Sequence, residues 1–473
     1  DTFRAVAFFS RTDNCGGEDT INRSISPDGR VVTLDEPTLE GSTHDSYGLR
    51  TEWDISSSLT LETETTYYTQ DYRRSEDGDG LPFRLSSFSR TGDSEVFEQD
   101  VRLRFDTGRY SGVVGLFYTD IENAIPADLL IDTGFALGGS PLTANGIFAN
   151  RFTDFASDTR NAAMFGEVDI RADEIAEGLS FTVGARYDYE EFAFNAVTDF
   201  TAPIPLPPPF VDDSASGSTS FNAFLPKIGV NYEFNESQKL SFTVQRGYRS
   251  GGTSVNAAGA ISEFAPEFTT NYELAYRGSF NADSVFVSAN VYFTDWTDQQ
   301  VNRFSGTLPT GQAVFEVVNA GKSELFGGEL AVEADLSGHF SVFAQVAYAD
   351  TEFVKFDNAG TSLAGNSFPN ASELSAAFGM RYDWDSGVSF GLDASYTKGS
   401  FFDLENTRAQ RSDDRWLVNS QLTYAADDWE LGLYVRNLFD EEYATSRFID
   451  ASGTTFERVG EPRTVGMYAQ RSF

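Results

Sequence analysis

The feature that most restricts this chain is an alternation of period two that recurs along it, while no apolar stretch is ever long. In 58–70, Leu59, Leu61, Thr63, Thr65 and Tyr67 alternate with Thr60, Glu62, Glu64, Thr66 and Tyr68. In 179–188, Leu179, Phe181, Val183, Ala185 and Tyr187 alternate with Ser180, Thr182, Gly184, Arg186 and Asp188. In 285–294, Val285, Val287, Ala289, Val291 and Phe293 alternate with Phe286, Ser288, Asn290, Tyr292 and Thr294. Successive side chains of a strand leave on opposite faces, so each segment predicts a β-strand with one apolar and one polar side. The apolar faces average about five positions, near what a tilted strand needs to cross a hydrocarbon layer. An apolar run of about 18 residues, the length of a membrane-crossing helix, does not occur. A barrel remains open, because its alternating strands give only a weak hydropathy signal.

Turn residues punctuate these strands in a regular way. Tight turns rich in Asp, Asn, Gly or Ser are predicted near 54–58, 106–109, 173–178, 235–238, 281–284, 336–339, 385–387 and 426–428, since those residues tolerate turn geometry. Long connections are predicted near 13–45, 73–93, 122–157, 196–219, 252–267, 300–319, 353–371, 402–413 and 441–457, with Pro205–Pro209 an extended segment. The result is an all-β chain of about eighteen strands: a transmembrane antiparallel β-barrel of the outer-membrane type, with short periplasmic turns and long outer loops. A propeller would repeat a motif every 40–50 residues or so, whereas these hairpins are uneven.

Composition narrows the function. Aromatics make up 14% of the 473 residues, with 43 Phe and 20 Tyr, a balance that favours strand. The 72 acidic residues outnumber the 34 basic ones and give a net charge of −38. Such a surface repels a phosphate backbone, so no nucleic acid is expected as a partner. His44, in a predicted loop, and His339, in a predicted turn, have no nucleophile motif beside them. No catalytic residue, metal or cofactor is assigned; an enzyme assembling its site across barrel strands is the remaining catalytic reading. Cys15 is either a free thiol or paired outside this sequence. Asp1 is not an initiator and no signal-like segment precedes the first strand, so the chain is expected to be processed or incomplete.

The C-terminal stretch is more specific. Trp429, Leu431, Leu433, Val435 and Phe439 share one side of a predicted strand, and Glu430, Gly432, Tyr434 and Arg436 the other. NLFDEEY at 437–443 leads through a polar loop to GEPRTVGMYAQRSF at 460–473, ending on Phe473. This pattern resembles the C-terminal end of TonB-dependent outer-membrane receptors, with Arg471 a departure where the family more often has an aromatic or apolar residue. EQDVRLRF at 98–105, LPKIGVNYEF at 225–234, KLSFTVQRGYRSGG at 239–252, FAPEFTTNYELAYRGSF at 264–280, VYFTDWTDQQV at 291–301 and VNAGKSELFGGELAVEADL at 318–336 resemble successive parts of the same barrel.

The resemblance implies that 1–473 is barrel throughout, lacking the family's N-terminal plug and first strands. The strands here would then belong to a twenty-two-stranded barrel, a size that carries a plugged lumen. It implies energised uptake of a scarce small-molecule ligand, most often a ferric siderophore or other metal chelate, with the TonB complex pulling on the plug. Outer-membrane lipid, lipopolysaccharide and the barrel assembly machinery, reading Phe473 as its signal, are the other implied partners. An unenergised substrate-specific porin or channel of about eighteen strands fits the strand count but not the ordered motifs. A passive structural or adhesion barrel is the third reading.

Candidate contacts follow from the resemblance. Tyr248, Arg249 and Ser250 sit at the outer end of a strand, where the family binds ligand; Trp296 and Arg303, in a predicted loop at 302–304, are further candidates. Arg186, Glu273, Arg277, Arg381 and Arg436 fall on polar faces expected to line the lumen, where contact with plug or substrate competes with plain pairing to neighbouring carboxylates. Asp77–Gly78–Asp79–Gly80 opens like a calcium loop but lacks the later ligands and closing Glu, and is read as a solvated loop. Charge alone raises the idea that acidic loops hold divalent ions bridging lipopolysaccharide.

Overall fold

Alternating segments with one apolar face can bury their backbone polar groups only by pairing side by side. The computed structural model shows that pairing for residues 2–17, 21–23, 30–32, 34–139, 141–206, 212–255, 261–307, 313–426, 428–449 and 453–471. Nineteen strands share one sheet. Eighteen of them form the wall: β1 Phe3–Gly16, β2 Leu39–Ser56, β3 Leu59–Asp77, β4 Ser86–Asp106, β5 Tyr110–Ala124, β6 Phe148–Arg171, β7 Leu179–Thr201, β8 Asp213–Asn235, β9 Gln238–Arg249, β10 Glu267–Phe280, β11 Val285–Thr307, β12 Ala313–Ser337, β13 Phe340–Lys355, β14 Leu374–Asp383, β15 Val388–Thr397, β16 Arg415–Ala426, β17 Trp429–Arg436 and β18 Thr464–Arg471. Each pairs antiparallel with its predecessor, so the all-β antiparallel barrel and its strand number stand as expected. The nineteenth, Ala127–Asp132, inserts between the outer ends of β4 and β6.

The register keeps one face apolar and turned outward. Val114, Leu116, Phe224, Ile228, Val291 and Leu433 are 49–58% exposed on that face. An aromatic row runs across the middle of four neighbouring strands: Phe9 pairs in register with Tyr47, Tyr47 with Tyr67, and Tyr67 with Phe97. Aromatics at such a level mark a membrane interface.

All eight tight turns fall where expected. The long connections do not keep their expected lengths. β3 and β4 leave only 78–85 between them instead of 73–93, β5 and β6 leave 125–147, and β11 and β12 leave 308–312. His44 therefore lies in β2 and Arg303 in β11, not in loops. The reason is that outside hydrocarbon both faces of a strand are wet. Cross-strand hydrogen bonds continue there while the alternation that announces them disappears. At the other end of the chain β17 stops at Arg436, because Asn437 adopts a φ of 47° and Asp440 one of 57°; Phe439 lies beyond the strand. The expected loop 441–457 contains a hairpin, Ala444–Ile449 with Thr455–Val459. Phe473 and most of Pro205–Pro209 lie outside the described residues.

All fourteen residues of β1 are exposed. Among the described residues no register pair joins β1 to β18, and the two are linked instead through their outer loops. Ile21–Asn22 pairs with Glu457 and Phe456. Glu457, 7% exposed, accepts from Arg23 Nε at 2.6 Å and from Arg447 Nε. Arg30 reaches Asp440 Oδ1 at 3.1 Å and the Glu441 carbonyl at 2.9 Å.

Outward and inward positions should differ in cost. Leu274→Arg, on the outward face of β10 and 46% exposed, should destabilise the barrel in lipid by about 2–4 kcal/mol. Thr243→Arg on the inner wall, opposite Glu273, should cost under about 1 kcal/mol; urea titration of vesicle-refolded protein checks both.

Candidate functional site

The outer ends of β9 to β12 gather the predicted contact residues. Arg249 ends β9 directly opposite Glu267, the first residue of β10. The two pair at 3.0 Å, with Glu267 only 6% exposed and the Arg249 side chain 57% exposed. Glu267 also accepts the Gln300 N–H at 2.5 Å. Arg249 Nη2 donates to the Gln300 carbonyl at 3.3 Å, and Gln300 Nε2 donates to the Ser250 carbonyl at 2.7 Å. A guanidinium anchored on one side by a buried carboxylate and open on the other can take an anionic or carbonyl oxygen bidentately.

The other predicted contacts are placed differently. Tyr248 falls on the opposite face of β9 from Arg249, and its ring packs on Phe268 at 5.4 Å. Arg303 lies on β11 and pairs with Glu316 of β12 at 2.5 Å, with Asn358 at 3.5 Å; Glu316 is 6% exposed. Trp296 packs edge-on against Phe368 at 6.0 Å, beside a buried cluster of Val301, Ala320, Phe353, Phe356, Leu363 and Leu404. Trp296 and Val301 have opposite parity along β11, yet both meet this cluster. Asp298 between them has a φ of 53°, a left-handed backbone that interrupts the alternation while the register to β12 is kept on either side of it. Arg249, Ser250 and Arg303 thus belong to one polar rim, and Trp296 to the apolar floor beside it.

The expected lumen charges sit on the inward face, four of them against local partners. Arg186 pairs with Asp188 at 2.7 Å, its guanidinium 5.3 Å from the Phe117 ring. Arg381 pairs with Asp383 at 2.9 Å. Glu273 accepts from Asn290 at 3.4 Å, and Arg436 lies 5.3 Å over Tyr434. Arg277 is exposed on the same face of β10 as Glu273. Near the periplasmic end the inner wall forms a recess of about 630 Å³ lined by Glu62, Arg102, Arg104, Glu167 and Asp169 among others. Residues missed from sequence are the acceptors, Glu267, Glu316 and Gln300. Register opposite Arg249 and Arg303 could have found Glu267 and Glu316; nothing in the sequence points to Gln300.

An antiparallel wall with an outward apolar band, an aromatic row, short turns at one end and a polar interior defines an outer-membrane β-barrel. Residues 3–438 match the family described as TonB dependent receptor-like, beta-barrel, and the chain belongs to that family. The pesticin receptor of Yersinia pestis is 25% identical over 279 residues, 56% of this chain and 38% of that protein. A probable TonB-dependent siderophore receptor of Acinetobacter baumannii is 22% identical over 459 residues, 86% of this chain and 58% of that protein. The crystal structure of the ferric yersiniabactin uptake receptor of Yersinia pestis has the same fold, with a TM-score of 0.81 at 18% identity over 100% of this chain and 68% of that one. The chain therefore spans well under two thirds of the curated relatives it matches.

Glu267→Gln should leave the barrel folded but weaken the tie that holds residues 249 and 300 together. Amide exchange at Gln300 should rise about tenfold, as expected for loss of a charge-assisted hydrogen bond of ~1.5 kcal/mol. Hydrogen–deuterium exchange with mass spectrometry measures it.

Proposed function

We propose that this barrel is the membrane-spanning part of an energised importer whose ligand is a ferric siderophore or another metal chelate. The match to the receptor-barrel family along nearly the whole chain carries this reading. The activities of relatives, uptake of ferric yersiniabactin and siderophore reception, supply the ligand class. The half-exposed Arg249 supports it chemically, since carboxylate and phenolate oxygens of a chelate are good guanidinium acceptors. In this reading Arg249, Ser250, Trp296 and Arg303 line the outer binding surface, Tyr248 packs behind it on the other face of β9, and the barrel performs no catalysis. The inner-wall charges, Arg186, Glu273, Arg277, Arg381 and Arg436, face a plug.

The TonB complex would act through that plug, which this sequence does not include. The exposed edges of β1 and β18 would take further strands of a larger barrel, because unpaired backbone edges are costly in lipid. The outer-membrane lipid, lipopolysaccharide and assembly machinery complete the proposed partners.

The test is uptake of iron-55 as ferric siderophore by iron-starved cells expressing the protein from its own gene. Deleting tonB, or adding a protonophore, should abolish uptake. Uptake that persists, or steady ion conductance by the purified protein in planar bilayers, would instead favour an unenergised channel. Arg249→Ala should weaken chelate binding about tenfold, the loss of one charge-assisted hydrogen bond, with no change in thermal unfolding; unchanged affinity removes Arg249 from the site.

A further inference from the structure

The hairpin of Ala444–Ile449 and Thr455–Val459, in the β17–β18 connection, has two unlike faces. Phe448 stands opposite Phe456 on one, and Arg447 opposite Glu457 on the other. The ionic face is anchored. Glu457, 7% exposed, binds Arg23 of the β1–β2 connection at 2.6 Å and Arg447 of its own hairpin. Arg447 Nη1 also donates to the Arg411 carbonyl of the β15–β16 connection at 2.8 Å. The aromatic face reaches further. Phe456 lies against Gly80 of the β3–β4 connection, so closely that a Cβ at residue 80 would clash with its ring. Phe448 packs on Phe304 at 5.7 Å and on Phe315 at 6.3 Å, near the tip of the β11–β12 hairpin.

Those partners are rooted far apart in the wall. On the side that carries the hairpin, ten wall strands, β12 to β18 and β1 to β3, separate the β11–β12 tip from the β3–β4 connection, roughly 50 Å of rim at the usual strand spacing. The hairpin strands have 6 and 5 residues and span roughly 20 Å. Phe448 and Phe456, as register partners, stand only about 5 Å apart. The two connections therefore converge on one place, which a path along the rim cannot bring about, and that place is over the opening. We propose that this hairpin is the resting cover of the outer mouth, anchored through Glu457 and latched through Phe448, and that a bulky solute reaches Arg249 only when the latch opens. Phe304 lies further out along β11 than Gln300, to which Arg249 donates, so the latch stands above the guanidinium. The two attachments differ in strength. Removing a buried carboxylate shared by two arginines strands their charges. Phe304 and Phe315, by contrast, are 43% and 50% exposed, so the ring contact is half wet and parts first. Opening thus begins at Phe448 and pivots on the Glu457 side, whatever the barrel imports.

Access from outside tests the cover, in outer-membrane vesicles carrying the protein with Cys15→Ser, to remove the exposed native thiol, and Arg249→Cys. The rate at which a maleimide on a polyethylene glycol chain labels residue 249 is compared with that of a small impermeant maleimide. Adding Phe448→Ala should speed the bulky reagent about fivefold, as expected for loss of the ring contacts, and leave the small one unchanged. Phe448→Tyr, which keeps a ring, should label as slowly as the parent. Glu457→Gln should speed the bulky reagent at least tenfold, since it frees the anchor. Heat-modifiable migration on gels reports that each variant is folded. Equal bulky-reagent rates in the parent and in Phe448→Ala overturn the proposal, as does Phe448→Tyr labelling as fast as Phe448→Ala. A rise shared by the small reagent also overturns it, because that assigns the effect to local loosening around residue 249.

Discussion

A peptide N–H or C=O inside hydrocarbon has no water to bond, and this single requirement organises the whole wall. It makes strands pair along their full length, forces hairpins to return immediately at the periplasmic end, and leaves one class of side chain outward and another inward. Where the register provides no pair, between β1 and β18, the described residues offer a different kind of closure. A small loop sheet and the carboxylate of Glu457, shared by Arg23 and Arg447, tie the first and last connections together above the membrane. That tie contributes nothing to backbone pairing within the bilayer. It positions the outer loops relative to one another.

The same register that satisfies the backbone also assembles the polar rim. Arg249 and Glu267 meet because they are partners in the β9–β10 ladder, and Arg303 and Glu316 because they are partners in β11–β12. The two pairs nevertheless differ in what they leave available. Arg303 is three-quarters covered, with a side chain 26% exposed, whereas more than half of Arg249 remains open. A half-exposed ion pair adds little to stability, so the arrangement at Arg249 is better understood as holding a guanidinium in position than as holding the barrel together.

The sequence reading was strongest where one face of a strand meets lipid. Leu59 to Tyr68, Leu179 to Asp188 and Val285 to Thr294 all lie in strands of the expected phase, because burial of alternate residues in hydrocarbon writes directly into composition. It was weakest above the membrane. Residues 86–93, with Ser, Arg, Thr, Gly and Asp on both faces, carry no alternation yet continue β4. Ladder hydrogen bonds are indifferent to side-chain polarity, so these extensions left no mark. The candidate site was legible only in part: Arg249 and Arg303 could be singled out, but their carboxylate partners depend on register. Trp296 keeps the inward phase of Tyr292 and Thr294, but Val301 joins it on the same cluster only past a left-handed residue, Asp298, that no period-two rule anticipates.

The outward extension of the strands sets a physical scale for entry. β12 has 25 residues, roughly 80 Å of chain at the usual rise per residue, while crossing the hydrocarbon at a steep tilt uses only about 10 of them. The remainder stands above the bilayer as a hydrogen-bonded hairpin with β11, roughly as tall as the membrane core is thick once the tilt is counted. On the far side of the wall β14 to β18 run only 8–12 residues, about what the crossing itself takes. The rim is therefore lopsided, and a solute coming from outside meets a stiff ladder on one flank and connecting loops on the other.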